Sequence, residues 1–229
     1  MATAYAYAAP RALVKIAIVG HVDHGKSTLV GRLLNDTNSL PAGKIEAVAE
    51  MCRRRGMPFE WAFVTDALRA ERDQGITIDA SHIRFSDAVR DYMLIDATGH
   101  REFLKNMISE AAGCDAALVV IDADEGVREQ SRRHGYLLHL LGIRQIAVAV
   151  TKMDTVDLDA ARFGQIETDF CRLLEGLGIE LSAIVPVSGR DGDNIATRSD
   201  KTPWYHGPTV LEAAAAFEPL PQPVDPCRR

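Results

Sequence analysis

The chain has 229 residues, 47% of them hydrophobic and 25% charged, which suits one α/β domain with a substantial core. Its net charge of −6 does not favour a large nucleic-acid footprint, and no apolar run is long enough to span a membrane. The four cysteines (Cys52, Cys114, Cys171, Cys227) form no C-x-x-C pair, which argues against disulfides or a zinc site and fits a reducing cytoplasm.

Residues 1–12 are apolar as far as Pro10 but lack a basic start and a long apolar stretch, so they read as a flexible leader rather than a signal peptide. Leu13–Val19 is apolar with one lysine, as a buried parallel strand should be. It runs into Gly20-His21-Val22-Asp23-His24-Gly25-Lys26-Ser27, the pattern G-x-x-x-x-G-K-[ST] of a phosphate-binding loop. Here the backbone N–H groups of Val22 to Thr28 wrap a phosphate. Gly25 allows close approach without a Cβ, Lys26 reaches the β- and γ-phosphate oxygens, and the Ser27 hydroxyl ligates Mg²⁺. Apolar residues at helical spacing over 28–34 put a helix N-terminus behind the anion. His21 and His24 belong to this loop and are read as part of it rather than as metal ligands.

The stretch 35–74 is the least regular and takes the place of a first switch, its conformation tied to the γ-phosphate. Within it Ile45–Arg55 reads as a helix stopped by Gly56, its basic end Arg53-Arg54-Arg55 solvated, and Trp61–Arg72 as a second helix. Gln74-Gly75-Ile76-Thr77-Ile78 then offers Thr77 as a second protein ligand to Mg²⁺. The short polar stretch Ser86–Arg90 predicts one antiparallel hairpin in an otherwise parallel sheet. After the strand Tyr92–Ile95 comes Asp96-Ala97-Thr98-Gly99, a D-x-x-G pattern, in which Asp96 supports Mg²⁺ through water and the Gly99 N–H senses a γ-phosphate.

His134 and His139 lie on a predicted helix at a separation that is not a ligand spacing. The strand Gln145–Val150 ends in Thr151-Lys152-Met153-Asp154, close to N-K-x-D. The Asp154 carboxylate can accept two hydrogen bonds from guanine N1–H and its exocyclic amine, a pair adenine does not offer, and the Lys152 stem can pack on the base. Ser188-Gly189-Arg190 follows the strand Ala183–Val187 and presents N–H groups to the guanine O6. Val210–Phe217 reads as a last helix, and 218–229, with four prolines, as a linker-like tail. Strands alternating with helices predict an α/β phosphate-loop NTPase fold over 13–217, mostly parallel, with helices on both faces and no internal repeat.

These motifs, in this order, resemble the translation-factor branch of GTPases, elongation factor Tu included, over roughly residues 13 to 217. The resemblance implies GTP and GDP with Mg²⁺ as ligands. It makes His100, after D-x-x-G, the catalytic residue that positions water, with Lys26 and Thr77 assisting. Val22 and Ile76 become the apolar gate, and Asp23 a helper for a monovalent cation. Four longer stretches (Asp66–Gly75, Gln130–Tyr136, Gly192-Asp193-Asn194 and Pro203–Thr209) look more like the GTPase subunit of bacterial sulfate adenylyltransferase and its fusions with adenylyl-sulfate kinase. That resemblance implies GTP hydrolysis coupled to adenylyl sulfate synthesis, with a small adenylyltransferase subunit as partner. An elongation-factor-like translational GTPase and a nucleotide-switched regulatory module are the alternatives. In the resembled family β-barrel domains continue from the proline-rich end, so the sequence reads as an isolated GTPase domain.

Three positions depart from the family pattern: Thr98 for proline, Thr151 for asparagine and Gly189 for alanine. The expected effect of Thr151 is loss of an amide that ties the base loop to the phosphate loop, about 1 kcal/mol or fivefold in affinity. Gly189 is expected to keep its N–H and add flexibility.

Overall fold

The computed structural model describes residues 11–73, 82–96, 111, 113–179 and 181–220. The leader to Pro10, the tail from residue 221, and the predicted site residues Thr77, Gly99 and His100, with Ile76 and Thr98 beside them, lie outside the described residues.

The first strand, β1 (Leu13–Gly20), leads into helix α1 (Lys26–Asp36). Helices α2 (Lys44–Arg55) and α3 (Trp61–Asp73) follow, at the positions that helical spacing predicts. Gly56 caps α2 at φ 66, as its role of stop signal requires, and Arg53, Arg54 and Arg55 are exposed. The hairpin strands are β2 (His82–Ser86) and β3 (Asp91–Asp96). Next come β4 (Ala116–Asp122), α4 (Glu129–Leu140), β5 (Gln145–Thr151) and a 3₁₀ turn over Met153–Val156. Helix α5 (Ala160–Glu175), β6 (Leu181–Pro186) and α6 (Val210–Ala216) complete the order.

The six strands form one sheet in the order β2-β3-β1-β4-β5-β6. All neighbours are parallel except β2 and β3. Asp87 makes that hairpin: its Oδ1 accepts from the N–H of Val89 and of Arg90, both at 2.7 Å, and its Oδ2 accepts from the Tyr92 hydroxyl at 2.8 Å. Every residue of β4 is buried, as expected for a central strand covered on both faces. One face packs Leu29, Leu33, Val210 and Phe217, from α1 and the α6 segment, against Ile16, Leu94 and Leu118. The other face packs Leu138, Phe163, Ile166 and Phe170, from α4 and α5, against Val19, Val119 and Val148. A smaller cluster of Val48, Cys52 and Val64 joins α2 to α3.

Two stretches of the sequence resemblance turn out to be scaffold for the loop after β6. Asn194, 1% exposed, donates to the Pro186 carbonyl at 2.9 Å and the Thr202 hydroxyl at 3.0 Å, and its Oδ1 accepts from the Ser199 N–H at 2.9 Å. The Tyr205 hydroxyl lies 2.8 Å from the Ile184 carbonyl and 2.7 Å from that of Pro208, while Trp204 and Tyr205 pack on Phe163. Thr209 and Glu212 then start α6 with reciprocal side-chain-to-backbone bonds of 3.1 and 2.7 Å. Asn194→Ala should cost about 3 kcal/mol by orphaning buried polar groups, lowering Tm by roughly 6–12 °C in a thermal melt.

Candidate nucleotide-binding site

In an open α/β sheet the ligand crevice lies beyond the carboxyl ends of the strands, where the order reverses. That reversal falls at β1, which pairs in parallel with β3 on one side and β4 on the other. Beyond it is a cavity of about 490 Å³ lined in part by Val22, Asp23, Gly25, Lys26, Ser27 and Thr28. Asp96 and Lys152, from the ends of β3 and β5, line the same cavity, as does Arg69 of α3. Members of the predicted phosphate, magnesium and base elements, Lys26, Ser27, Asp96 and Lys152, thus line one cavity although they are far apart in the chain. Asp154, Ser188 and Gly189 are not among its lining residues, and Arg190 borders a neighbouring one.

The phosphate loop has the backbone that its sequence demands. Gly25 has φ 80 and caps α1, and no side chain caps that helix, so its first N–H groups are left for an anion. Asp23 also has positive φ, at 65°, and sits exposed beside Val22 at the crest of the loop. The Lys26 ammonium donates to the Gly20 and His21 carbonyls, both at 2.7 Å. Burial lowers its pKa, with Asp96 opposing and Arg69 reinforcing the shift.

Asp96 is 6% exposed. Its Oδ2 is paired with the Arg69 guanidinium, while its Oδ1 is buried with no hydrogen-bond partner among the described residues. A buried carboxylate oxygen in that condition is a strong acceptor in want of a donor. Water held by Mg²⁺ beside Ser27 would satisfy it, so the residues present fit the metal that the D-x-x-G pattern implies. The Arg69 pairing was not legible in the sequence, where Arg69 reads as one more helical residue.

Thr151 corrects the expectation placed on it. Its hydroxyl lies 2.6 Å from the His24 carbonyl, with the Ile121 carbonyl a second acceptor at 3.1 Å. The tie between base loop and phosphate loop is therefore made here by a hydroxyl rather than an amide, inside the core at 2% exposure. Lys152 follows in the left-handed region (φ 57) and its ammonium pairs with Asp122 at 2.7 Å, leaving the stem along the cavity. Burial would raise the Asp122 carboxyl, but the Lys152 ammonium and the N–H groups of Asp124 and Glu125 hold it below its usual range. Sequence reasoning passed over Asp122, whose signal was a carboxylate closing the wholly apolar run 116–121. Asp154 is half-buried in the 3₁₀ turn, whose start is fixed by the Met153 N–H donating to the Val187 carbonyl at 3.1 Å.

Ser188 is fully buried, and its hydroxyl accepts from the Asp191 N–H at 3.1 Å, which turns the loop back under α1. A Cβ on Gly189 would stand 3.0 Å from Thr28 Cγ2. The glycine therefore supplies clearance for Thr28. Arg190 borders a neighbouring cavity of about 520 Å³ with Thr28, Pro58, Phe59, Glu60 and Trp61.

The sequence matches the family described as the elongation factor Tu GTP binding domain over residues 11–219, and the chain belongs to that family. It is 46% identical over 212 residues to elongation factor 1-alpha of Thermococcus kodakarensis, covering 93% of this chain and 49% of the relative. Elongation factor 1-alpha of Pyrococcus woesei is 44% identical over 213 residues, again 93% of this chain and 49% of the relative. The chain thus spans about half the length of the curated relatives it matches. Among solved structures, Sup35 complexed with GDP is similar at TM-score 0.62 and 26% identity, over 88% of this chain and 44% of that one. The GTPase-like domain of Ski7 from S. cerevisiae has the same fold at TM-score 0.70 and 19% identity, over 89% of this chain and 49% of that one. GTP or GDP with Mg²⁺ is the ligand set typical of the family, and the comparisons lend no support to the sulfate-activation resemblance. Among the described residues no helix is long and apolar enough to cross a membrane.

Two substitutions test the local account. Thr151→Val keeps the shape but removes the donor to His24, and should speed GDP release at least about fivefold in a stopped-flow chase, whereas Thr151→Asn should not. Gly189→Ala should weaken GDP binding by about 1 kcal/mol through overpacking, and Thr28→Ser in the same chain, which removes the crowded methyl, should restore it.

Proposed function

We propose that this chain binds GTP and GDP with Mg²⁺ and hydrolyses GTP as the nucleotide-binding domain of a translation-elongation-type factor. The observation that carries this reading is the 46% identity to an elongation factor 1-alpha across nearly the whole chain, and the cavity lined by Lys26, Ser27, Asp96 and Lys152 supports it. Asp154 selects guanine, aided by the N–H groups of Gly189 and Arg190, while the Lys152 stem covers one face of the base. Lys26 leaves the carbonyls of Gly20 and His21 to meet the β- and γ-phosphates, and Ser27, Thr77 and Asp96 hold Mg²⁺ directly or through water. The metal neutralises charge on the β- and γ-oxygens when bound. His100, by its place after D-x-x-G, orients the attacking water, and Gly99 senses the γ-phosphate. Charge developing on the γ-phosphoryl oxygens is met by Lys26, once it has left those carbonyls, and by the loop N–H groups.

The stretches resembling the sulfate-adenylyltransferase GTPase keep one second reading in view, a partner role beside a small adenylyltransferase subunit. Of these, Gly192-Asp193-Asn194 and Pro203–Thr209 make scaffold contacts here, which weakens them as functional signatures.

The test begins with binding of labelled GDP, GTP, ATP and XTP to the native chain and to Asp154→Asn. Guanine preference in the native chain, moved toward xanthine by the substitution, is the expected result. Equal or absent binding across the four nucleotides overturns the assignment. Hydrolysis is then followed with ribosomes and, separately, with the small adenylyltransferase subunit. Stimulation by ribosomes supports the elongation reading, and stimulation by the subunit alone replaces it.

A further inference from the structure

His21 and His24 both belong to the phosphate loop, and the fold brings a third donor to them. Glu125 lies in the turn between β4 and α4, and donor atoms of His21, His24 and Glu125 all fall within 4.8 Å of one another. The two rings lie 5.3 Å apart, centroid to centroid, tilted by 56°.

The protonation of both rings follows from their neighbours. His21 Nδ1 is 2.9 Å from the Val22 carbonyl, and His24 Nδ1 is 3.2 Å from the Val120 carbonyl. A carbonyl oxygen only accepts, so in each ring Nδ1 carries the hydrogen and a neutral ring presents a bare lone pair on Nε2. His24 Nε2 then faces Glu125 Oε2 at 3.4 Å. Two lone-pair atoms so placed require a positive charge between them. A proton can serve that one pair, but His21 adds a third donor to the same spot, which a proton does not use. A remote Nδ1–H fixed by a backbone carbonyl is also how metal-ligating histidines are oriented.

We propose that His21, His24 and Glu125 form a binding site for a divalent ion of the Zn²⁺ class, with water completing a tetrahedral set. Two histidines and a glutamate with one open position are a zinc donor set. Bonds of about 2.0–2.1 Å place tetrahedral donors roughly 3.3–3.5 Å apart, so the cluster must contract by up to about 1.5 Å. The movable members are Glu125, with its side chain 43% exposed, and the partly exposed His21, while His24 at 1% is the fixed point. The nearby Lys26 ammonium opposes a cation, but it is turned onto the Gly20 and His21 carbonyls. A bound ion would clamp the phosphate loop to the turn after β4.

Zn²⁺ is titrated calorimetrically into the chain loaded with GDP and excess Mg²⁺, so that the nucleotide site is already filled. The titration is repeated without nucleotide, which separates this proposal from the nucleotide assignment. The expected result is one Zn²⁺ per chain, with affinity falling on the order of 100-fold in Glu125→Ala and in His21→Asn. Co²⁺ in place of Zn²⁺ should give the strong visible absorption of a tetrahedral site, lost in both variants. Glu125→Gln, which keeps the side-chain length, serves as a second carboxylate variant, and circular dichroism checks each fold. Absence of stoichiometric binding by the native chain, or binding by Glu125→Ala as tight as native, overturns the site.

Discussion

The parallel pairing of β1 on both of its edges is the constraint on which the rest of the site depends. With β3 and β4 hydrogen-bonded to it, β1 cannot slide without breaking two ladders, so Gly20 leaves the sheet at a fixed point. The phosphate loop starts there and must return within a few residues to begin α1. A turn that short needs positive φ, supplied by Asp23 and Gly25. The same ladders hold the ends of β3, β4 and β5 level with that turn, which places Asp96, Asp122 and Thr151 around it without any contact having to be selected singly.

The charges around the cavity are arranged in pairs that a nucleotide can exchange. Lys26 sits on carbonyls, Arg69 on Asp96, and Lys152 on Asp122. A buried charge without a partner is costly, so each is held until a stronger partner arrives. The exchange has different consequences at each place. Lys152 can keep Asp122 and still lay its stem against a base. Arg69, by contrast, takes Oδ2 of Asp96 and leaves Oδ1 of the same carboxylate to water on Mg²⁺. Arg69 belongs to α3, so its ion pair ties that helix to the end of β3.

What the sequence made legible was whatever chemistry is written locally. The phosphate loop, Gly56 as a helix stop and the Ser86–Arg90 hairpin each depend on residues a few positions apart, and each appears where its spacing places it. What stayed hidden was chemistry assembled across the sheet. Arg69 and Asp96 are 27 residues apart, Asn194 and Thr202 act on a strand end, and Glu125 lies 101 residues from His24. The longer stretches likened to the sulfate system show the opposite risk. Gly192-Asp193-Asn194 and Pro203–Thr209 are distinctive because a buried network and an aromatic cluster need them. Such needs are shared by any member of the fold that closes β6 this way, so they carry little about partner or reaction.

The two departures from the family pattern at the base loop are best understood by geometry rather than by residue type. At Thr151 the count of donors suggested a loss, because a threonine has no amide. Yet the atom that matters is one donor aimed at one carbonyl, and a β-branched hydroxyl at the end of β5 already points there, 2.6 Å from His24. At Gly189 the absent methyl suggested looseness, yet the space it would take is held by Thr28 Cγ2. Thr28 is itself the third residue of the helix that follows the phosphate loop, so its branched side chain and the bare glycine divide one volume between that helix and the loop after β6. The two departures therefore touch the same seam, one across the His24 carbonyl and one across Thr28. A seam closed at both points keeps the base loop fixed to the phosphate loop, which is the relation a guanine nucleotide needs whatever residues supply it.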